Sequence, residues 1–314
     1  MSKALVAALQ LTLLLLLPAT EVKAFFGRVD FTVEDDFSEA SILRGIKANQ
    51  EQCKSAGNAA IWASVNRDLE ECIKYWGSGL TNATGRVIVY MHGDRLPTPP
   101  SYLKLTGQQL SNSAATWGNR LKAPYIYIGR PGTHGSSGDH RKRRTIEEGL
   151  ILSKAFDALS ERYGIKEFVV AGQSGGGHAT SSLLTLRNDI VCAIPTSAPS
   201  SPSIRFRKMG RTTDTTNHVS YEPTEHLQSN AMHKKLRVFI LGDPNDSNVF
   251  WESQTILAEP LKKRGIEHAI IEGVATGARK HSLDNSARFL AGLCYHDKET
   301  SEIVEHLKKK NIKG

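Results

Sequence analysis

The stretch that decides the fold is residues 167–176, with the sequence EFVVAGQSGG. A short apolar run that contains β-branched residues is followed directly by Gly172-Gln173-Ser174-Gly175-Gly176 and then by a helical pattern. Gly-x-Ser-x-Gly between a strand and a helix is typical of a nucleophile elbow, which holds a serine in a strained backbone conformation on a sharp turn. The glycines avoid clashes there, and the helix N-terminus directs N–H groups at the reacting oxygen. The alternative is a phosphate-binding turn, but the Lys-Ser/Thr pair of a P-loop does not follow these glycines.

Outward from the elbow, apolar strand patterns alternate with helical patterns. The predicted strands are residues 86–91, 125–128, 167–171, 191–194, 236–241 and 268–271. A capping box of Thr145 and Glu148 opens a predicted helix that ends near Tyr163, and further helical patterns span 251–264 and 282–293. This alternation predicts an α/β fold with a mostly parallel central sheet flanked by helices. Ligands bind such sheets at the carboxyl ends of the strands.

Two parts of the chain depart from this alternation. Residues 25–84 predict an N-terminal strand followed by helices that pack on the same core. Residues 195–235 are polar, rich in Ser and Thr, and without helical periodicity, which predicts a long excursion over the top of the sheet. We therefore expect a single domain over 25–314, with 195–235 as a lid-like insertion.

The N-terminus has the layout of a secretory signal peptide. Lys3 precedes an apolar stretch over 4–17, and Val22 and Ala24 occupy the −3 and −1 positions of a cleavage site before Phe25. A spanning helix needs about 20 apolar residues, so a retained membrane anchor is the weaker interpretation. Residues 1–24 are thus predicted to be removed, leaving a secreted or periplasmic protein without stable membrane insertion.

Composition excludes several classes of protein. With 314 residues, 39% of them hydrophobic, the chain is neither disordered nor a disulfide-dense mini-protein. Its 40 Lys and Arg exceed 32 Asp and Glu, partly through basic runs at 141–144 and 308–310. These runs are not interleaved with aromatic residues, so we expect solvated surface charge and no nucleic-acid partner.

The four cysteines are Cys53, Cys72, Cys192 and Cys294. An even number in an oxidising compartment predicts disulfides, and four cysteines allow three pairings. Cys53–Cys72 is favoured, because a helix hairpin could join two residues that lie 19 positions apart in a helical-looking region. Cys192 lies in an apolar strand pattern and could instead be a small buried hydrophobic residue.

From the elbow outward, over about residues 85 to 293, the sequence resembles the α/β-hydrolase superfamily. The resemblance includes His92-Gly93 after a strand, the loop over 130–138, the elbow, an acid after a late strand and a histidine after the last one. The family order is Ser, then Asp or Glu, then His. The resemblance implies a serine hydrolase that forms an acyl-enzyme intermediate with Ser174.

Two carboxylates compete for the acidic position. The family pattern Gly-Asp-x-Asp-x-x-Val corresponds here to 242–249, with the second aspartate one residue late. Asp246 keeps the Asp-x-x-Val register with Val249 and is favoured over Asp243, whose alternative role is a turn beside Pro244. Either carboxylate would orient an imidazole and stabilise its charged form.

His281 is the predicted base, because it lies ten residues past the last predicted strand and opens a helix. The competitor is His178, four residues after Ser174, which is expected to line or cap the elbow helix. By family position, the backbone amides of Gly175 and Asp94 would form the oxyanion hole. The carboxylate of Asp94 would repel an oxyanion unless the side chain points away from it. Two further options are that this carboxylate contacts Arg95 or an amine of the substrate.

These residues predict an exported, carboxylesterase-like serine hydrolase acting on a small molecule. A peptidase or amidase of the same fold, with a peptide substrate, is the alternative within enzymes, and a non-catalytic binding protein is the alternative outside them. The polar excursion argues against an interfacial lipase. The basic run at 141–144 follows a loop near the active edge, so a preference for anionic substrates is a further option. No metal-ligand spacing or dinucleotide fingerprint is present, and we expect no cofactor.

Overall fold

The computed structural model describes residues 27–34, 37–95, 102–227 and 231–309. The predicted signal peptide, 1–24, lies outside these residues. The strands are β1 (Val29–Asp30), β2 (Ile46–Lys47), β3 (Ala60–Asn66), β4 (Leu69–Ser78), β5 (Gly85–Met91), β6 (Tyr125–Ile128), β7 (Ile165–Gln173), β8 (Ile190–Thr196), β9 (Arg237–Gly242) and β10 (Glu267–Glu272). The helices are α1 (Glu39–Arg44), α2 (Gln50–Ser55), α3 (Gly107–Leu121), α4 (Ile146–Tyr163), α5 (Gly175–Leu183), α6 (Pro202–Lys208), α7 (Pro223–His226), α8 (Trp251–Thr255), α9 (Ala258–Lys263), α10 (Asp284–Tyr295) and α11 (Thr300–Lys309). None of the described helices is both long and apolar enough to cross a membrane.

Eight strands form the central sheet in the order β10-β9-β8-β7-β5-β6-β4-β3. The strands from β10 to β6 run parallel, whereas β4 is antiparallel to both β6 and β3. The six predicted strands correspond to β5 through β10, and the predicted fold class is confirmed. Since β7 lies between β5 and β8, the loops after these three strands meet at one edge.

Helices cover both faces of the sheet, as the alternating side chains of β5 illustrate. Val87 and Val89 pack in one core with residues of α4 and α5, while Ile88 and Tyr90 pack in the other with residues of α3 and α10. All four side chains are fully buried. A strand that is apolar on both faces is the expected signature of a parallel sheet between two helical layers.

The region before β5 differs from the prediction of a strand followed by helices. After α2, residues 60–78 form the antiparallel pair β3–β4, in which Trp62 lies opposite Cys72. Buried Lys74 obscures the alternation of β4 in the sequence, and its Nζ donates to the carbonyls of Val33 and Glu34 at 2.9 and 2.7 Å. Pairing with β6 outweighs helical propensity here, which is why the helical prediction for this part is wrong.

The structure contains two disulfides. Cys53 on α2 is joined to Cys72 on β4, with 5.4 Å between Cα atoms, as the favoured pairing predicted. The expected helix hairpin is wrong, because Cys72 lies on a strand. Cys192 on β8 is bonded to Cys294 on α10, so Cys192 is a buried disulfide partner and not a free thiol.

Two predicted segments differ from expectation, one by an interruption and the other by helices that the sequence pattern did not indicate. The predicted helix over 251–264 consists of the two short helices α8 and α9. The excursion at 195–235, of which 228–230 lie outside the described residues, begins at the end of β8 and contains α6 and α7. Several of its side chains line a cleft at the carboxyl edge of the sheet.

Candidate active site

Ser174 lies on the sharp turn between β7 and α5. Its φ of 56° and ψ of −118° belong to a conformation that costs a non-glycine residue energy and that is found mostly at functional sites. Its amide donates to the carbonyl of Thr196 at 2.8 Å, which fixes the turn against β8. A Cβ on Gly172 would overlap the carbonyl of Gly176, so a side chain cannot be accommodated two residues before the serine. The elbow thus places Ser174 in the wall of the cleft.

His281 and Asp246 meet from neighbouring loops. His281 follows β10, Asp246 follows β9, and 2.7 Å separates His281 Nδ1 from Asp246 Oδ2. The Asp246 carboxylate is buried, and its Oδ1 accepts from the amides of Asn248 and Val249 at 2.8 and 2.9 Å. These hydrogen bonds fix the carboxylate before it orients the imidazole. His281 Nε2 makes no hydrogen bond to a described residue, and His281 lines the same cleft as Ser174.

Asp243, the competing acid, lies in a different environment. Its Oδ1 accepts from the amide of Asn245 and its Oδ2 from the amide of Ala275, both at 2.8 Å. The second bond ties the end of β9 to the loop after β10. The structure therefore places Asp246 against the imidazole and gives Asp243 the turn role.

His178, the competing histidine, is buried on α5. Its Nε2 lies 2.9 Å from the carbonyl of Tyr221, to which it donates. Burial lowers the pKa of His178 to about 3, so the ring is neutral. Among the described residues, no hydrogen bond links the His178 ring to Ser174, and the ring anchors the excursion to the elbow helix.

Gln173 is a site residue that the sequence did not single out. Its Nε2 donates to the carbonyl of His281 at 2.6 Å, and its Oε1 accepts from the amide of Leu283 at 3.2 Å. The residue before the nucleophile thus holds the backbone around the histidine. In the sequence, only the position of Gln173 inside the elbow could indicate this role, because both of its partners lie more than 100 residues away.

The two predicted oxyanion amides lie at the expected places. Gly175 is the first residue of α5, and Asp94 is in the loop after β5. Within the described part of the chain, neither amide donates to a protein acceptor. A Cβ on Gly175 would collide with the Asp94 carboxylate and with Arg130, so only glycine fits beside them.

The negative charge of Asp94 is compensated by arginines and not by Arg95. Its carboxylate lies 2.9 Å from Arg130 Nη1 and 3.4 Å from Arg143 Nε, and it also contacts Arg144. Burial alone would raise the pKa of Asp94, but Arg144, Arg130 and Arg143 outweigh it and hold that pKa well below its usual range. The carboxylate is therefore ionised, and its charge is balanced before any oxyanion forms.

These contacts belong to a buried ion network. Arg143 and Arg144 both bind Asp214 of the excursion, and Glu148 of α4 accepts from Arg130 Nε at 2.8 Å. Glu148 also accepts from the amide of Arg144 at 2.6 Å, so the capping box lacks its reciprocal bond although Thr145 caps the helix as predicted. The network connects the loop after β5, helix α4 and the excursion.

The basic run at 141–144 is therefore not solvated surface throughout. The Arg141 side chain is 54% exposed, whereas those of Arg143 and Arg144 are 6% and 4% exposed. The prediction is wrong for these two, because aspartates distant in sequence draw them inside. The side chains of the second basic run, 308–310, are not among those that the structure describes.

The cleft has a volume of about 870 Å³. Besides Ser174 and His281, its lining includes seven arginines (Arg95, Arg143, Arg144, Arg205, Arg211, Arg279 and Arg288). Among the described residues, no group of three or more His, Cys, Asp or Glu side chains could hold a metal ion.

No protein-family model matches the chain. No curated protein matches it either. Among solved structures, a puromycin-hydrolysing peptidase of Mycobacterium tuberculosis is 14% identical, with a TM-score of 0.52 over 76% of this chain and 40% of that one. Prolyl oligopeptidase B of Galerina marginata is 10% identical, with a TM-score of 0.51 over 75% of this chain and 36% of that one. An esterase of Pyrococcus furiosus is 15% identical, with a TM-score of 0.48 over 80% of this chain and 91% of that one.

The chain spans about two fifths of the length of the two peptidases. At these identities the matches concern the fold. The parallel sheet, the elbow directly after β7 and the two matches with TM-scores above 0.5 agree with the resemblance seen in the sequence. The chain therefore has the α/β-hydrolase fold.

Proposed function

We propose that this protein is a serine hydrolase that cleaves a carboxylic ester with Ser174, His281 and Asp246. The observation that carries the proposal is the 2.7 Å contact between His281 Nδ1 and a buried Asp246 already fixed by two amides, beside a strained serine in the same cleft. In this arrangement the carboxylate selects the tautomer with a free Nε2, which is the one that can accept a proton.

The proposed reaction has two halves. His281 Nε2 takes the proton of the Ser174 hydroxyl as Oγ attacks the ester carbonyl carbon, and the amides of Gly175 and Asp94 stabilise the oxyanion. The C–O bond to the alcohol breaks, His281 protonates the leaving alkoxide, and an acyl-serine remains. Water then attacks the acyl-serine with His281 again as base, which releases the carboxylic acid and restores Ser174.

We infer that the substrate is an ester because an alcohol is a better leaving group than an amine. The proposed residues Ser174, His281 and Asp246 are therefore sufficient to cleave an ester. A peptidase or amidase is the alternative. The choice between ester and amide is tested with 4-nitrophenyl acetate and its amide counterpart, 4-nitroacetanilide. Turnover of each is measured with the native protein and with Ser174→Ala. Ester turnover that depends on Ser174, with much slower amide turnover, supports the proposal; faster amide turnover makes the protein an amidase, and no turnover of either favours a binding scaffold.

We also propose that the protein is exported. The two disulfides support an oxidising compartment, and the layout of residues 1–24 supports removal of a signal peptide. The N-terminal sequence of the protein recovered from the exported fraction of its cells tests this. A mature protein that begins at Phe25 is expected, and retention of the complete chain inside the cytoplasm would contradict it.

A further inference from the structure

We propose that the cleft takes an anionic ester that carries negatively charged groups on both sides of the scissile carbonyl. This inference deepens the proposed function and depends on Ser174 being the nucleophile. It differs from the option suggested by the basic run at 141–144, because Arg143 and Arg144 are already paired with aspartates.

The arginines that line the cleft outnumber the aspartates that line it. Three aspartates line it, and two of them, Asp94 and Asp214, bind Arg143 and Arg144. The third, Asp284, accepts from the hydroxyls of Tyr90 and Ser282. Five arginines of the lining form no ion pair with a described residue: Arg95, Arg205, Arg211, Arg279 and Arg288. Five cations therefore face one carboxylate within a single cleft.

Arg95 and Arg288 form a group on the β5 side of the elbow. The Arg288 guanidinium lies 3.9 Å from the centroid of the Tyr90 ring, and Arg95 Nη2 donates to the Tyr127 hydroxyl at 3.3 Å. The Nε atoms of both arginines are buried and make no hydrogen bond to a described residue. Each side chain is thus held in place by aromatic residues while charged donors stay unused.

Arg205, Arg211 and Arg279 form a second group on the side of β8 to β10. Arg205 on α6 donates to the backbone carbonyl of Asn248 at 2.9 Å and to its side-chain oxygen at 3.2 Å, so its position is fixed. Burial is the main cause that lowers the pKa of Arg205, and nearby Arg144 lowers it further, while Asp94 and Asp214 oppose the shift. Arg279 lies two residues before His281.

The two groups contact opposite halves of the sheet: Arg95 and Arg288 contact side chains of β6 and β5, whereas Arg205 contacts Asn248 in the loop after β9. Ser174 follows β7, which lies between β5 and β8, so an ester with its carbonyl at Ser174 extends one part toward each group. A guanidinium binds carboxylate or phosphate through two parallel hydrogen bonds, and a cleft lined by one sign of charge concentrates substrates of the opposite sign. A neutral ester offers these guanidinium groups no carboxylate or phosphate to bind.

The test compares esters of similar size that differ in charge. On the acyl side, mono-4-nitrophenyl adipate is compared with neutral 4-nitrophenyl hexanoate and cationic 4-nitrophenyl 6-aminohexanoate. On the alcohol side, 4-acetoxybenzoate and 4-acetoxyphenyl phosphate are compared with methyl 4-acetoxybenzoate. We expect kcat/KM of the anionic ester to exceed that of its neutral partner by about tenfold or more on each side, with the preference shrinking as salt screens it.

The variants Arg288→Gln and Arg279→Gln assign the preference to the two groups. Each is expected to lower the anionic-to-neutral ratio by about tenfold on one side of the ester and to spare the other side. Arg67→Gln removes an equal charge from the turn between β3 and β4, outside the cleft, and is expected to keep both ratios. Labelling of Ser174 by a neutral fluorophosphonate checks that each variant is folded.

Two results would overturn the inference while leaving the proposed function intact: a labelled, active enzyme without preference for any anionic ester, or ratios that fall equally in all three variants. Failure of the proposed function is separately visible, because Ser174 would then react with no fluorophosphonate and no ester of either charge would be hydrolysed.

Discussion

Asp246 Oδ2 lies 2.7 Å from His281 Nδ1, while Asp243, three residues earlier, bonds only backbone and side-chain groups of turns. The two carboxylates are equally buried, and they differ in what they orient. Asp246 fixes an imidazole that lines the same cleft as Ser174, and Asp243 joins the end of β9 to the loop after β10. This division of roles makes the two aspartates a matched pair for mutagenesis.

Asp246→Asn is expected to lower kcat by about 10³- to 10⁴-fold, because an amide in that position favours the wrong tautomer of His281. Asp243→Asn is expected to lower kcat by only a small part of that, because Asp243 bonds Asn245 and the amide of Ala275 and makes no contact with the imidazole. Steady-state kinetics on a 4-nitrophenyl ester measures both. Equal losses, or a larger loss for Asp243→Asn, would contradict the assignment.

Gln173→Glu tests the bridge between the elbow and the histidine loop. The variant keeps an acceptor for the Leu283 amide but replaces the donor to the His281 carbonyl with an oxygen, so we expect the imidazole to lose its position. A displacement of about 1 Å can cost about 100-fold in rate, and we expect a fall of 10- to 100-fold in kcat with little change in KM. Steady-state kinetics measures this split, with the unfolding midpoint as control. Unchanged kcat in a folded variant would show that the bridge does not position the base.

Arg144→Gln tests the buried network. It removes one of the three arginines that contact Asp94 and one of the two that contact Asp214, while Arg130 and Arg143 remain. Breaking a buried pair completely costs about 3–5 kcal/mol of unfolding free energy, so we expect a loss of up to about that size. Arg141→Gln, three residues earlier in the same run, is the matched control; its exposed pair with Asp139 contributes less than about 1 kcal/mol. Denaturant unfolding measures both. Similar losses in the two variants would mean that Arg144 is solvated.

The buried histidines predict that the fold loses stability in acid. Burial lowers the pKa of His178 to about 3 and holds the pKa values of His92, His134 and His140 well below the usual range. An unfolded histidine titrates near 6.5, so the unfolded state binds more protons as pH falls from about 6.5 toward 3. The free energy of unfolding should therefore decrease through this window.

Asp94 adds a second loss at lower pH. Because its folded pKa is depressed, its stabilising contribution is present above the ordinary aspartate pKa and disappears as pH falls through the folded value. Urea unfolding at pH 7, 5.5 and 4 measures the slope, and His178→Gln should make it shallower. A stability that stays constant from pH 7 to pH 4 would show that these rings are accessible to protons.

The sequence predicts the parallel part of the sheet well for a physical reason. Strands β5 to β10 are short apolar runs bounded by turns, because a parallel sheet covered on both faces requires them. β4 escapes prediction because Glu71 and Lys74 interrupt its pattern, and their charges are balanced by Arg28, about 40 residues earlier, and by the carbonyls of Val33 and Glu34.

The residues of the site likewise fall into some that local sequence patterns predict and some that they do not. Ser174, Asp246 and His281 follow strands in a known order, so local spacing suffices to propose them. The burial of Arg144 could not be predicted, because its partner Asp214 lies 70 residues away in a segment without regular periodicity. The same holds for Gln173, whose partners follow β10. Contacts between loops from different strands depend on the completed sheet and leave no local pattern in the sequence.

The central claim is that Ser174 is an activated nucleophile, and intact-mass spectrometry after treatment with a fluorophosphonate tests it most directly. We expect one adduct per chain on the native protein, none on Ser174→Ala, and much slower labelling of Asp246→Asn than of Asp243→Asn. A folded native protein that gains no adduct, or a Ser174→Ala variant that gains the same one, would contradict the claim.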